Sequence, residues 1–229
     1  MSEATNAKRR AGEKSVEYIE DGMTVGLGTG STAYHMVARL GERVREGLKV
    51  RCVPTSRRTA EQAQGLGIPL VTFAEVGQLD LTIDGADEIG PNLALIKGGG
   101  GALLREKLVA AASRRFIIIA DAGKRVATLG KFPLPVEVVP FAWEVTTRRV
   151  AKVTGVEPIM RRAGADAYLT DNGNYILDCA CGEIEDPARM ERELKLVPGV
   201  VESGLFVLMA DLAILAAEDG ELEIIERRA

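Results

Sequence analysis

From Val16 to Ile119 short apolar runs alternate with longer amphipathic stretches, the pattern of a strand–helix repeat around a parallel sheet. The apolar runs predict strands at residues 24–27, 50–54, 70–73, 81–83 and 116–120. Met36, Val37, Leu40 and Val44 recur at helical spacing within residues 32–46. Leu104, Leu108 and Ala111 do the same within residues 102–112, so both stretches predict helices packed on a sheet face.

Past Gly130 the pattern changes. Pro133-Leu134-Pro135 fixes the backbone against helix and predicts a hinge. Then follow a strand (136–139), a helix (143–153), strands at 157–161 and 175–179, a helix (187–197) and a strand (200–206). That order is ferredoxin-like. Asp171-Asn172-Gly173-Asn174 supplies turn chemistry for a hairpin between the middle two strands. Two last runs, 212–215 and 222–225, are expected to rejoin the first sheet. The predicted class is therefore α/β: a Rossmann-like parallel-sheet catalytic domain of residues 1–131 plus 207–229, with an inserted ferredoxin-like α+β domain of residues 132–206.

Composition narrows the function. The chain has 229 residues and a net charge of −4, and its arginines fall in scattered doublets, so no basic stripe marks a nucleic-acid surface. Five Phe, four Tyr and one Trp make a poor platform for stacking bases. Cys52, Cys179 and Cys181 form no even disulfide framework, and with His35 as the single histidine no metal site is expected. The polar start and the short apolar runs predict no secretory signal and no membrane span, and unpaired thiols agree with the cytoplasm.

In an open parallel sheet ligands bind beyond the carboxyl ends of the strands. The first strand runs into Gly28-Thr29-Gly30-Ser31-Thr32 and directly into a helix, where backbone N–H groups and three hydroxyls can meet phosphate oxygens. The same letters also allow a tight turn with a helix cap. Gly28, Gly30 and Ala33 satisfy a relaxed dinucleotide pattern, but no acid for a ribose follows the next strand. Asp84-Gly85-Ala86-Asp87-Glu88 sets three carboxylates at a strand end, where they must share protons, meet a cation, or lie in a solvated turn. Lys97 precedes Gly98-Gly99-Gly100-Gly101, a run whose entropy cost suits a close backbone approach, and Glu106 falls on the first turns of the next helix. Lys124 follows the last strand of the repeat. A carboxylate base, a lysine near nascent negative charge and a phosphate cradle suit proton abstraction beside a carbonyl, which needs no cofactor.

These segments resemble ribose-5-phosphate isomerase of the A type. The likeness runs through Gly28–Thr32, the DGADEI corner, Lys97–Gly100 with Arg105-Glu106-Lys107, residues 130–138, residues 170–174 and Pro198-Gly199-Val200-Val201. It implies interconversion of ribose 5-phosphate and ribulose 5-phosphate in the non-oxidative pentose phosphate pathway, by a cytoplasmic homodimer or homotetramer. On that resemblance Glu106 is the base between C1 and C2, Asp84 opens the sugar ring, and Asp87 and Lys97 handle substrate oxygens. The substrate-contact positions are Thr29, Gly30, Ser31, Thr32, Gly85, Ala86, Gly98, Gly99, Gly100, Lys124 and Lys8. Val207-Leu208-Met209 departs from the family, which is usually polar there; the departure bears on local packing or a subunit interface. Two other readings of the same motifs are a non-catalytic sugar-phosphate-binding regulator and an amino-sugar-phosphate isomerase and deaminase. His35 and the cysteines read as structural.

Overall fold

The computed structural model describes residues 3–227. In chain order the elements are α1 (Glu3–Ser15), β1 (Thr24–Leu27), α2 (Ser31–Arg45), β2 (Arg51–Pro54), α3 (Arg57–Gly65), β3 (Leu81–Gly85), β4 (Glu88–Ile89), β5 (Leu95–Ile96), α4 (Leu103–Ala111) and β6 (Phe116–Asp121). There follow β7 (Leu134–Val138), α5 (Trp143–Thr154), β8 (Ile159–Met160), β9 (Arg162–Ala163), β10 (Asp166–Ala167), β11 (Tyr175–Cys179), α6 (Pro187–Lys195), β12 (Val200–Ser203), β13 (Leu205–Phe206), β14 (Leu212–Ala216) and β15 (Leu222–Glu226). They make two compact units. One takes the chain up to Ala86, Arg105–Lys124 and the chain from Leu208; the other takes Asp87–Leu104 and Arg125–Val207.

The first unit is built on a six-stranded sheet in the order β15-β14-β6-β3-β1-β2, parallel throughout except for β15. β1 and β14 are buried along their whole length and β6 up to its last residue, as parallel strands covered on both faces must be. On one face Ala7 and Ala11 of α1 and Met36, Val37 and Leu40 of α2 pack with Leu27, Ile117, Ile119 and Ile214. Each of the larger side chains taken out of water contributes about 1.5–3 kcal/mol. On the other face Val109 of α4 packs with Val53, Val76 and Leu79. The tail strands β14 and β15 do rejoin this sheet. Residues 70–73, expected as a strand, supply only one bridge, Leu70 to Cys52. The cause is local: both the N–H and the hydroxyl of Thr72 donate to Glu75 Oε2, which turns the chain away from the ladder.

Chain order and strand order together locate a switch. The chain leaves β1 for the edge strand β2, then crosses back past β1 to β3. The crevice at the carboxyl ends of β1 and β3 is thus the topological switch point, where open α/β sheets take ligands.

The second unit carries a four-stranded antiparallel sheet in the order β12-β7-β11-β8, with α5 between β7 and β8 and α6 between β11 and β12. That is the ferredoxin-like arrangement. Leu134, Val136, Val138, Leu177 and Cys179 from the sheet pack with Val150 of α5 and Leu194 of α6. Three sequence expectations change here. Pro135 is no hinge but part of β7, opposite Asp178, beyond the last β12 pair at Val136, so its missing N–H falls outside that ladder. The Asp171–Asn174 turn does not join the middle two strands directly, because the small β9–β10 hairpin intervenes. The turn is tied instead to β7: buried Glu137 Oε1 accepts from Thr170 Oγ1 and Asn174 Nδ2, both at 2.9 Å. The expected strand 200–206 divides at Gly204, where a Cβ would stand 2.3 Å from the Lys97 carbonyl oxygen. Beyond that point β13 pairs with β5, and β5 with β4, so residues 87–104 cluster with the second unit.

Candidate active site

In the first unit the switch-point crevice is lined by backbone before side chains. The Gly28 N–H donates to the Ile83 carbonyl at 2.9 Å, carrying the β1–β3 pairing one residue past the strand. Asp84 is completely buried at the end of β3. Its Oδ1 accepts the Thr29 N–H at 2.9 Å and the Gly85 N–H at 2.7 Å. A Cβ at Gly28 would come within 2.1 Å of that oxygen, so only glycine lets the carboxylate lie across the loop. Gly30 then caps α2 with φ +122°, and the first-turn N–H groups of α2 open at the same loop.

The hydroxyls of that loop differ in what they can do. Thr29 Oγ1 joins a cluster with Thr55, Ser56 and Thr59, at 2.7, 2.8 and 3.1 Å, which braces β1 against the start of α3. Thr32 is buried and Ser31 is exposed at the helix start. The bracing residues Thr55, Ser56 and Thr59 were not singled out from the sequence; a hydroxyl run directly after a strand is the signal that marks them.

Glu106 sits in the first turn of α4 and is 4% exposed, a carboxylate at the positive end of a helix. Lys124 ends the short 3₁₀ turn Ala122–Lys124 directly after β6, and Lys8 stands partly buried on α1. His35, on α2, has its imidazole lowered below the usual value by burial, with Arg9 and Lys8 adding to the shift and Glu13 opposing it. It serves the α1–α2 packing, as its isolation in the sequence suggests.

In the second unit Asp87 and the glycine run form one structure. Asp87 Oδ2 accepts the Gly99 N–H at 2.7 Å, and a Cβ at Gly99 would lie 2.6 Å from Oδ1. Gly98 and Gly101 have φ +103° and +80°, and the Gly101 N–H closes the turn on the Gly98 carbonyl. Lys97 enters that turn from β5, 2% exposed, with its ammonium 5.4 Å from the centre of the Phe206 ring. A cation on an aromatic face recovers part of the solvation it loses on burial. Glu88 has left the group: its two oxygens accept the Gly130 and Phe132 N–H groups at 2.7 and 2.6 Å, and it holds the chain entering β7.

The three carboxylates of the DGADE corner are therefore met one by one by backbone donors. Within the first unit the structure brings Gly28, Thr29, Asp84 and Gly85 together; within the second it brings Asp87 to Gly99. The peptide bonds Ala86–Asp87 and Leu104–Arg105 join the two sets. Among the described residues no three His, Cys, Asp or Glu side chains gather in a group able to hold a metal ion. Cys52 and Cys179 are buried, and burial pushes the Cys52 thiol up to about 12 and that of Cys179 upward too, so neither is a nucleophile at neutral pH.

Residues 51–220 match the family model of ribose 5-phosphate isomerase A (phosphoriboisomerase A). The ribose-5-phosphate isomerase A of Nitrobacter hamburgensis is 53% identical over 227 residues, covering 96% of this chain and 97% of its own. The solved ribose 5-phosphate isomerase from Plasmodium falciparum superposes with a TM-score of 0.95 at 38% identity, over 98% of this chain and 100% of that one. A D-ribose-5-phosphate isomerase solved in complex with phospho-erythronic acid gives a TM-score of 0.92 at 37% identity, over 97% and 98% of the two chains.

Proposed function

Since this chain belongs to the ribose 5-phosphate isomerase A family, we propose that it interconverts ribose 5-phosphate and ribulose 5-phosphate through an enediolate, with Glu106 as the base. The reaction is a step of the non-oxidative pentose phosphate pathway. The observation that carries the mechanism is Glu106 itself, a buried carboxylate in the first turn of the helix that begins just after the glycine run.

Asp84 assists opening of the furanose ring, its carboxylate aimed by the Thr29 and Gly85 N–H groups. Glu106 then takes the C2 proton of the open aldose. The electron pair moves into the C1–C2 bond, and the carbonyl oxygen becomes the enediolate oxygen. Lys97 meets that negative charge, which is worth most at a site drier than water. Glu106 returns its proton to C1 and the C2 oxygen becomes the ketone, with Asp87 handling the hydroxyl proton between the two oxygens. No group outside the chain has to accept electrons, so the route calls for no cofactor. A planar anion on a phosphorylated chain is what an enediolate route has to bind, and a relative holds phospho-erythronic acid, a molecule of that kind.

The start of α2 at Ser31 and Thr32, the loop at Gly30, and Lys124 and Lys8 are the phosphate and hydroxyl contacts in this reading, with Gly85, Ala86, Gly98, Gly99 and Gly100 supplying backbone. The enzyme works as a cytoplasmic homodimer or homotetramer and takes no nucleic-acid or membrane partner. No described helix is long and apolar enough to cross a membrane.

The test is isomerisation of ribose 5-phosphate in deuterated water. Deuterium appearing at C2 of the aldose or C1 of the ketose is the expected result. Binding with neither turnover nor exchange would make the chain a sugar-phosphate receptor and end the enzymatic reading.

A further inference from the structure

We propose that Arg161 is a positioning residue for Asp87, acting through the peptide group between Gly98 and Gly99. The inference rests on the role given above to Asp87. Arg161 lies one residue beyond β8, and its guanidinium is engaged on two sides. Nε and Nη2 donate to the two oxygens of Asp178 on β11, at 2.9 and 2.5 Å. Nη1 donates to the Gly98 carbonyl at 2.8 Å and to the Gly99 carbonyl at 3.2 Å. The pair is largely buried, with side-chain exposures of 16% for Arg161 and 27% for Asp178. Tyr168, whose own N–H donates to the Arg161 carbonyl, places its ring 6.0 Å from the guanidinium.

The peptide group that offers its carbonyl to Arg161 offers its N–H to Asp87, at 2.7 Å. A peptide is planar, so fixing the oxygen fixes the direction of the N–H. Between two glycines that plane has little steric preference of its own, and its carbonyl is held by the Gly101 N–H that closes the turn and by Arg161 Nη1. Arg161 supplies the charged part of that hold. Asp178, Arg161, the 98–99 peptide and Asp87 form one line of hydrogen bonds, carboxylate to guanidinium to amide to carboxylate, that runs from the ferredoxin-like sheet to the catalytic corner. A lysine cannot replace the guanidinium, because one ammonium cannot hold both oxygens of Asp178 and still reach the loop with the same geometry.

The experiment compares wild type with Arg161→Met, Arg161→Lys, Asp87→Ala and the Arg161→Met/Asp87→Ala double variant. Kinetics on ribose 5-phosphate, melting temperature and the exchange rate of the Gly99 amide by NMR are read for each. Arg161→Met is expected to lower kcat about 10- to 100-fold with KM little changed, the size of effect that misplacement by about 1 Å produces. Arg161→Lys is expected to fail to rescue it. In the Asp87→Ala background the same change is expected to cost nothing further, because residues acting as a unit are not additive. The Gly99 amide should exchange faster without the guanidinium. Multiplicative losses in the double variant would overturn the inference, as would wild-type kcat in folded Arg161→Met. If Arg161→Met does not fold, Asp178→Asn, which keeps shape and loosens one anchor, must show the same pattern at smaller size. An unchanged Gly99 exchange rate overturns the inference even if Asp87 proves essential. Wild-type turnover in Asp87→Ala would instead remove the role of Asp87 on which it rests.

Discussion

Replacing Glu106 by Gln keeps the buried side chain's shape and hydrogen-bonding outline but removes its basicity. General-base work is worth about 10²- to 10⁴-fold, so kcat for ribose 5-phosphate should fall by that much while an inhibitory sugar phosphate still binds. Near-normal kcat in a folded Glu106→Gln enzyme would take the base role from this residue. A second single-residue test needs no assumption about roles. The Cβ of Gly28→Ala would stand 2.1 Å from Asp84 Oδ1, and Asp84 is fully buried with no room to swing away. The variant should lose about 1–3 kcal/mol of stability by urea titration, the usual cost of overpacking, and should lose turnover through the displaced carboxylate. Unchanged stability and rate would mean that Asp84 is not held across the loop as described. These two positions also show what sequence can reveal at this scale. Glu106 and Asp84 stood out by type and place, yet the donors that aim Asp84 are main-chain N–H groups, which no letter records. The commitment of the Thr29 hydroxyl to Thr55, Ser56 and Thr59 was hidden for a related reason, since its partners lie across the sheet and about thirty residues away.

At the scale of elements the long periodic segments were legible and the short ones were not. The buried parallel strands and α2 announced themselves because burial on both faces, or on one stripe, forces apolar letters into runs or helical spacing. β4, β5 and β13 have two residues each, too few to show any period, and their sheet is set by what Gly204 allows to pass beside Lys97. α3 shows no apolar stripe in its letters because it buries little beyond Thr59 and Ala63; its start is written in the Ser56 cap, whose hydroxyl accepts the Thr59 N–H. The turn before β11 is written plainly in Asp171–Asn174, but its neighbours are not, since its anchor is Glu137, a buried acid on β7. That anchor is testable. Glu137→Ala leaves the Thr170 hydroxyl and the Asn174 amide without their acceptor inside the second unit. Hydrogen bonds to a charged group are worth about 1.5–3 kcal/mol each, so chemical denaturation should report a loss of at least that size. A loss below about 0.5 kcal/mol, the scale of ordinary surface changes, would show the turn to be held by its own backbone.

Stability against pH belongs to the whole molecule, because every titrating group adds to it, and here the sum separates into two windows. The chain has one histidine, so near-neutral protonation of side chains with ordinary values falls on His35 alone. Burial lowers its imidazole below the ordinary 6.5, with Arg9 and Lys8 acting in the same direction. The unfolded chain therefore accepts a proton that the folded chain refuses. Stability is complete above 6.5 and declines as pH falls from there to the lowered folded value. Asp80 acts in the same sense at lower pH. The N–H and hydroxyl of Thr24 hold its carboxyl below the ordinary 3.8, so its contribution is present above that value and is lost as pH falls through the folded one. Melting temperatures should thus drop in two stages on acidification. In His35→Gln the decline that sets in below about pH 6.5 should flatten while the acid limb stays; in Asp80→Asn the acid limb should shrink while the upper window keeps its slope. A wild-type slope in the upper window of His35→Gln would mean that the imidazole is solvated in the folded chain, against the packing of α1 on α2.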